Sequence, residues 1–249
     1  LGTDHPETAL SLNNLARLLH DQGDYVGAKP YLERALAIRE KLLEPDHPET
    51  AYSLNNLARL LHDQGDYGGA KAYYERALAI WRNRYGPDHP ATALGLNNLA
   101  RLLHDQGDYG QAKAYAEQSL AIREKVLGAN HPDTATSLHN LALLLHDQGD
   151  FDRAKDYYEQ TLTVFEKVWG PDHPDNAYSL NNLAILLLDE GDYSGAKPYL
   201  ERALAIRETV LGPDHPETKV TRDNLAIIEQ ELQKSTSLIN KLTKFFGKS

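Results

Sequence analysis

Apolar residues recur at helical spacing in two successive segments near the start of the chain. In the first segment they stand three or four residues apart, at Ala9, Leu12, Leu15, Ala16 and Leu19. The second segment repeats this spacing at Ala28, Tyr31, Leu32, Ala35, Leu36, Ile38 and Leu42. Such a period places the apolar side chains on one face of an α-helix. The pattern therefore predicts two amphipathic helices, each of which needs a neighbour to cover its apolar face.

Polar and conformationally special residues mark the ends of these two helices. Pro6 suits a first helical turn, where no backbone N–H is required, and Asp4 or His5 lies near the N-cap. Gly23 is typical of a helix C-terminus, and Asp24 suits the N-cap of the second helix. The short connection predicts that the two helices run antiparallel.

The whole two-helix unit recurs every 42 residues, as shown by the prolines of the His-Pro pairs at Pro6, Pro48, Pro90, Pro132, Pro174 and Pro216. A fixed period of roughly 20 to 50 residues indicates a repeat array in which neighbouring units stack. We expect an all-α domain over residues 1–234, with five complete repeats from about residue 4 to 213. A sixth first helix follows, from Glu217 to about Lys234.

The two ends of the array differ from its middle. Residues 235–249 break the period, and Leu238, Ile239, Leu242, Phe245 and Phe246 would share one helical face. We interpret this segment as a C-terminal capping helix or tail; the alternative is a basic amphipathic segment for a membrane surface or a partner groove. At the other end nothing covers the first helix, so a second copy of the chain could pair with it as a dimer or a domain swap. Leu1-Gly2 resembles the end of a repeat, as in Leu127-Gly128, so we expect an excised fragment.

Composition and motif content argue against several classes of function. The 249 residues carry a formal charge of −10, which argues against nucleic-acid binding, and they include no cysteine. No apolar run approaches the roughly 18 residues of a membrane span, so membrane insertion is not expected and we predict a cytoplasmic location. Ten of the eleven histidines recur once per repeat in two series, one from His5 to His215 and one from His20 to His146, so the members of each series lie too far apart to share one ion. No phosphate loop or nucleophile elbow is present. We therefore expect no enzyme, no metal site and no cofactor.

The repeat resembles the tetratricopeptide repeat. Aligned on Gly23, the template places of that 34-residue motif hold Leu12, Leu15-Ala16, Leu19, Ala28, Leu32 and Ala35. The chain departs from the motif at Glu40, where the template has Pro and the second helix here continues for eight more residues. This 42-residue variant closely resembles the repeats of kinesin light chains and of similar bacterial proteins, over residues 1 to about 230. The resemblance implies a right-handed α-solenoid of stacked helix pairs.

The resemblance also implies a concave groove, lined by first helices, that binds a peptide or a partner domain. The lining places in this chain are Asn13, Arg17, Asn55, Arg59, Asn97, Arg101, His139 and Asn181. Asn can hold peptide backbone through its donor and its acceptor, and Arg presents a fork that suits carboxylates. The groove loses its arginines after the third repeat, where Leu143 and Ile185 take their places. Kinesin light chains bind acidic, tryptophan-containing segments, so we expect an acidic or C-terminal peptide segment as ligand.

Structural interpretations of the same residues compete with this one. Arg17 stands four residues before Asp21, as Arg59 does before Asp63, and such helical pairs contribute about 0.2–0.5 kcal/mol each. The asparagines next in sequence to the groove set predict inter-repeat hydrogen bonds; they are Asn14, Asn56, Asn98, Asn140, Asn182 and Asn224. Trp169 is expected to fill a seam between repeats, and Trp81 to be partly exposed. A self-associating structural module, joined through the uncapped end, is the alternative function.

Overall fold

The structure is a computed structural model that describes residues 4–246, apart from the side chains of residue 236 and of residues 238–246. Within residues 4–246 there are eleven helices and no β-strand: α1 Pro6–Asp21, α2 Tyr25–Leu42, α3 Pro48–Asp63, α4 Tyr67–Tyr85, α5 Pro90–Asp105, α6 Tyr109–Leu127, α7 Pro132–Asp147, α8 Phe151–Trp169, α9 Pro174–Asp189, α10 Tyr193–Val210 and α11 Pro216–Phe246. The predicted all-α fold of successive helix pairs is confirmed.

The recurring residues between the helices are caps. The Nδ1 atom of His5, the N-cap of α1, accepts a hydrogen bond from the backbone N–H of Glu7 at 3.2 Å. Asp24 caps α2 by accepting from the N–H of Gly27 at 2.8 Å. Such side chains satisfy N–H groups that have no partner within the helix. Between α5 and α6 the chain reverses at Gly107, whose φ of +79° favours glycine. The predicted structural role of the His-Pro histidines is confirmed.

The chain divides into two compact units, Leu1–Ala129 and Asn130–Ser249. In unit 1, α1 packs on α2, α3 on α4 and α5 on α6, while α2 also packs on α3 and α4 on α5. In unit 2, α7 packs on α8 and α9 on α10, and α10 packs on α11. Buried alanines recur where helices approach closely, as at Ala16, Ala28, Ala58 and Ala70 in unit 1. We call the contact between a second helix and the next first helix a seam.

The last helix crosses the boundary that the sequence pattern places at Ser235. Helix α11 is continuous from Pro216 to Phe246, so residues 235–246 extend the sixth first helix. The apolar side chains proposed to form a cap, from Leu238 to Phe246, lie outside the described side chains. Their capping role stays a prediction.

The prediction for the two tryptophans is wrong in both cases. Trp81 is fully buried, whereas Trp169 is 38% exposed. Trp81 lies on the side of α4 that faces α5 and would contact a Cβ atom placed on Gly95. Trp169 is the last residue of α8, where it stacks on Phe165 and lies next to His173 at the surface. The helical period does not tell which of these two places on the second helix faces the next repeat.

Candidate functional site

Within each unit the first helices lie side by side and form one continuous face. In unit 1, His20 Nε2 lies 2.7 Å from Asp63 Oδ2, and His62 Nε2 lies 2.7 Å from Asp105 Oδ2. Unit 2 repeats the arrangement between His146 and Asp189, at 2.8 Å. Each bond joins the C-terminal turns of two successive first helices. The predicted lining residues lie on these same helices.

Asparagine pairs form a second row of bonds across this face. Asn98 Nδ2 donates to Asn55 Oδ1 at 2.7 Å, and Asn182 Nδ2 lies 3.2 Å from His139 Nε2. The predicted inter-repeat hydrogen bond is therefore confirmed at Asn98 and Asn182. These bonds also occupy two members of the predicted groove set, Asn55 and His139.

The predicted groove residues divide by exposure. Asn13, Asn55 and Asn97 are buried, with 7%, 8% and 5% of their surface exposed. The remaining members lie nearer the surface: Arg17 and Arg101 are exposed, and Arg59, His139 and Asn181 are half-buried. Arg17 and Arg101 are thus the members of the set that are most accessible to a ligand in solution.

One pocket brings three members of the set together. It lies between α1 and α3, has a volume of about 240 Å³, and is lined by Asn13, Arg17 and Arg59, together with Asn56 and Leu32. Asn13 Nδ2 is engaged, since it donates to the carbonyl of Ala9 and to the Ser53 hydroxyl. Within residues 4–246, Asn13 Oδ1 and Arg59 Nε are both buried without a hydrogen-bond partner. Buried polar atoms are normally paired, so two unpaired atoms beside one pocket are unusual.

Arg101 is held differently from Arg17 and Arg59. Its Nη2 lies 3.4 Å from Asp63 Oδ1 and 3.4 Å from His62 Nδ1, both in the preceding repeat. The predicted helical pair of Arg59 with Asp63 is not among the ion pairs of residues 4–246, nor is that of Arg17 with Asp21. The Asp63 carboxylate instead serves His20 and Arg101. Arg17 and Arg59 therefore form no ion pair with a carboxylate in the part of the chain that the structure describes.

The corresponding face of unit 2 has a different chemistry. The places of the arginines are taken by Leu143 and Ile185, both half-buried. Burial lowers the pKa of His139 from 6.5 to about 4, so its imidazole is neutral at pH 7. The predicted change from cationic to apolar residues along the chain is present in the two units, each taken by itself.

Sequence reasoning missed the polar side chains that join neighbouring repeats at the seams. Arg39 is 7% exposed; its Nη1 donates to the Ser53 hydroxyl at 2.6 Å and its Nη2 to the Glu49 carboxylate at 2.7 Å. In unit 2, Arg207 contacts Thr221 and Glu217 in the same way. We call this arrangement the arginine seam. The signal lies in the sequence, because an acid stands ten residues after each of these arginines, whereas Trp81 is followed by Ala91.

Membrane-spanning helices and metal clusters are both missing from the described residues. No helix there is long and apolar enough to cross a membrane. No group of three or more His, Asp or Glu side chains there is arranged to hold a metal ion.

Several solved structures are similar to this chain. A kinesin-light-chain-like protein of Podosopora anserina with nearly identical TPR-like repeats is 29% identical, with a TM-score of 0.64 over 82% of this chain and 97% of that one. BtubC (BKLC) of P. vanneervenii is 26% identical, with a TM-score of 0.66 over 82% and 81%. PilF of Pseudomonas aeruginosa, at 21% identity and a TM-score of 0.59 over 98% and 94%, shows the fold alone. None of the curated proteins matches the chain.

Family models give the same assignment. Models of the tetratricopeptide repeat match residues 7–83, 60–125 and 95–167, and a second model of this repeat matches residues 176–217. Repeats of this kind generally mediate protein–protein interactions and are typically not enzymes. The chain therefore belongs to the tetratricopeptide repeat family, in the 42-residue form that its kinesin-light-chain-like neighbours share.

Proposed function

We propose that unit 1 binds an extended, carboxylate-bearing peptide of a partner protein on the face formed by α1, α3 and α5. The observation that carries this proposal is the pocket between α1 and α3. It presents an unpaired acceptor, Asn13 Oδ1, beside the guanidinium groups of Arg17 and Arg59. A peptide has the complementary groups, because its backbone supplies N–H donors and its acidic side chains or C-terminus supply carboxylates.

Charge supports an acidic ligand. The chain as a whole is acidic, with a formal charge of −10, yet this pocket holds two arginines that form no ion pair within residues 4–246. An Arg–carboxylate pair can form two parallel hydrogen bonds, and charge-assisted bonds are roughly twice as strong as neutral ones. In a partly enclosed pocket, water also screens such bonds less than it does at an open surface. The two arginines thus contribute both affinity and orientation.

The other predicted residues have supporting roles in this proposal. Asn55 joins α3 to α5 through its bond with Asn98, and Asn97 is buried on α5. Arg101, fixed by Asp63, extends the cationic face beyond the pocket. His139 and Asn181, on the first helices of unit 2, belong to the part of the set without arginines.

A binding measurement with paired variants tests the proposal. The probe is a fluorescein-labelled acidic peptide containing one tryptophan, made with a free C-terminal carboxylate and as the amide, and titrated by fluorescence anisotropy. Arg17→Ala with Arg59→Ala should weaken binding about tenfold or more, because each charge-assisted bond contributes about 1.5–3 kcal/mol. A difference between the acid and amide probes identifies a C-terminal carboxylate as the bound group.

The control removes the same charge elsewhere. Arg82 and Arg84 are exposed on α4, so Arg82→Ala with Arg84→Ala changes the net charge equally without touching the pocket. Both double variants should keep the circular dichroism of the parent chain. Equal weakening by the two double variants would mean that binding is general electrostatic attraction, and it would contradict the pocket as the site.

Self-association stays the second candidate function, because α1 exposes Leu15 and Leu18. Sedimentation velocity over a range of concentrations distinguishes the two. A chain that stays monomeric throughout removes this candidate, and a dimer that excludes the peptide probe removes the first.

A further inference from the structure

A second pocket of unit 1 lies at a seam, where the N-terminal half of α1 and the C-terminal half of α2 meet the start of α3. It has a volume of about 290 Å³ and shares no lining residue with the pocket of Arg17 and Arg59. A cavity of about 150 Å³ is large enough to bind benzene, so this pocket has room for a substituted aromatic ring. We call it the seam pocket and define it by Leu10, Arg39, Leu42, Leu43, His47 and Glu49.

In unit 2 the equivalent place is filled by a tyrosine. Tyr178 of α9 stands where α1 has Leu10, and the sequence of residues 31–40 of α2 returns unchanged at residues 199–208 of α10. The centroid of the Tyr178 ring lies 5.4 Å from Cζ of Arg207, and the Tyr178 hydroxyl donates to Glu217 Oε1 at 3.0 Å. Burial and this hydrogen bond raise the pKa of Tyr178, so the ring is a neutral phenol at pH 7. A cation–π contact and one hydrogen bond thus hold a phenol against the arginine seam.

The seam pocket has the partners of such a ring, but Leu10 supplies neither a ring nor a hydroxyl. Arg39 binds Glu49 Oε2 at 2.7 Å, while Glu49 Oε1 accepts no hydrogen bond within residues 4–246. In unit 2 the corresponding carboxylate has Arg207 beside one oxygen and the Tyr178 hydroxyl on the other. The two groups that hold the phenol ring in unit 2 are therefore both present in the seam pocket.

This side of a first helix faces solvent even where another repeat precedes it. Tyr52 and Tyr178 are 39% and 50% exposed, close to the 47% of Leu10, although α2 packs on α3 and α8 packs on α9. Tyr52 contacts Trp81 on the second helix of its own repeat, as Tyr178 contacts Arg207. The partners of each tyrosine thus lie on its own second helix and on the next first helix. The seam pocket therefore results from a leucine at residue 10 and does not depend on what precedes α1.

We propose that the seam pocket binds a neutral phenol ring that carries a para substituent. The ring lies against the Arg39 guanidinium, and its hydroxyl donates to Glu49 Oε1. The para end then lies toward Leu10, which is 47% exposed, so a substituent there reaches solvent. Glu7 and Glu49 both line the pocket and disfavour a carboxylate, in contrast to the pocket between α1 and α3. A free small phenol and a tyrosine side chain share this chemistry.

NMR spectra of the methyl groups test the proposal at the pocket itself. The full chain, isotope-labelled at leucine, isoleucine and valine methyl groups, is titrated with N-acetyl-tyrosinamide, N-acetyl-phenylalaninamide and p-cresol. Ring-current shifts should appear at Leu10, Ile38, Leu42 and Leu43, which line the pocket. The tyrosine amide should bind about tenfold more tightly than the phenylalanine amide, because only its hydroxyl can donate to the carboxylate. Binding of p-cresol alone identifies a free small phenol as the source, and binding of the tyrosine amide identifies a tyrosine side chain.

Two reciprocal substitutions exchange the two places. Leu10→Tyr copies Tyr178 and puts a ring of the chain itself into the seam pocket, so the shifts at Leu42 and Leu43 should disappear. Tyr178→Leu opens the equivalent place in unit 2, and new shifts should appear at Val210 and Leu211. The control is Val26→Tyr, which adds the same side chain at a position that is 80% exposed and should leave the titration unchanged.

Three results would overturn the proposal. The first is a set of shifts at the seam pocket that persists in Leu10→Tyr. The second is equal affinity for the tyrosine and phenylalanine amides, since the pocket would then select only an apolar ring. The third is a Tyr178→Leu chain that folds, by circular dichroism, yet shows no new shifts. Loss of binding in one variant and its gain in the other support the proposal.

Discussion

The two units of the chain share helix lengths, caps and turns, yet their first helices and seams differ in chemistry. Unit 1 joins its first helices through the amides of Asn98 and Asn55, whereas unit 2 uses Asn182 and the imidazole of His139. Unit 1 buries Trp81 in a seam, whereas unit 2 places Phe165 there and leaves Trp169 at the surface. Because the backbone pattern is the same, these differences isolate what individual side chains contribute.

The aromatic seams show how closely a side chain must match its neighbour. Trp81 packs where Gly95 has no side chain, but Phe165 faces a repeat that carries Ser179 in the equivalent place. Ser179 is 1% exposed, and its hydroxyl has no hydrogen-bond partner within residues 4–246. In the arginine seam, the equivalent Ser53 hydroxyl accepts from Arg39. An aromatic residue at this place thus fits the shape of the glycine-containing helix, although Trp81 Nε1 is buried there without a hydrogen-bond partner within residues 4–246. On the serine-containing helix the aromatic residue leaves the Ser179 hydroxyl unsatisfied.

The largest effect on the free energy of unfolding is expected at Trp81, and Trp169 is its comparison. Trp81→Ala should lower the free energy of unfolding by about 3–5 kcal/mol, because it removes a fully buried side chain and leaves a cavity. Trp169→Ala should lower it by about 1 kcal/mol, the contribution of an exposed aromatic pair. Urea titrations followed by circular dichroism measure both. Repeat arrays do not always unfold in one step. The change in free energy is therefore calculated for the unfolding transition whose midpoint the substitution shifts.

Equal shifts in the two variants would contradict the burial difference between the units. Each variant retains one tryptophan, and its fluorescence then reports the other unit. The Trp169→Ala chain should therefore show an almost unchanged transition when it is followed through Trp81.

The second prediction concerns the pH dependence of stability that arises from His139 in unit 2. Burial lowers the pKa of His139 from 6.5 to about 4, so between these values the unfolded chain binds a proton that the folded chain does not. The free energy of unfolding therefore falls as the pH drops below 6.5, by up to about 3 kcal/mol at pH 4, at about 1.4 kcal/mol per pH unit. His139→Asn copies Asn55 of unit 1 and should remove this part of the pH dependence.

Urea midpoints from pH 7 down to pH 4 measure the effect. The other histidines and the carboxylates titrate in both chains, so the difference between the parent and His139→Asn isolates the one imidazole. Parallel curves for the two chains would contradict a buried neutral His139.

Local signals were sufficient to predict the helices and their caps, because His5, Pro6, Gly23 and Asp24 act within one or two turns of the chain. The 42-residue period also predicted that Asn98 bonds across repeats. Partners from different repeats were harder to predict. Arg59 was expected to pair with Asp63, but Asp63 contacts His20 and Arg101. The number of residues between two positions does not give the axial offset between neighbouring helices.

The site was predicted only in part, for the same reason. Arg17 and Arg59 do line one pocket with Asn13, as their spacing in the repeat indicates. The burial of Asn55 depends on the Asn98 side chain of the following repeat, and that of Arg39 depends on Ser53 and Glu49. A helical period identifies the face of a helix but not the neighbour that covers it. For this reason the burial predicted for Trp81 and Trp169 is the reverse of what the structure shows.

The smallest effect, and the sharpest test of the seams, is at Gly95. Replacing an interior helical glycine with alanine normally stabilises a helix by up to about 1 kcal/mol. Here the added methyl group would lie 3.1–3.3 Å from Leu78 and Trp81, so Gly95→Ala should instead destabilise the chain by about 1–2 kcal/mol. Gly68→Ala is the control, since a Cβ atom there meets only Asp66 at 3.9 Å. The combination Trp81→Arg, Ala91→Glu and Gly95→Ser rebuilds the arginine seam of Arg39, Glu49 and Ser53, and it should be more stable than Trp81→Arg alone. If the triple variant is no more stable than Trp81→Arg alone, the chemistry of a seam depends on more than these three places.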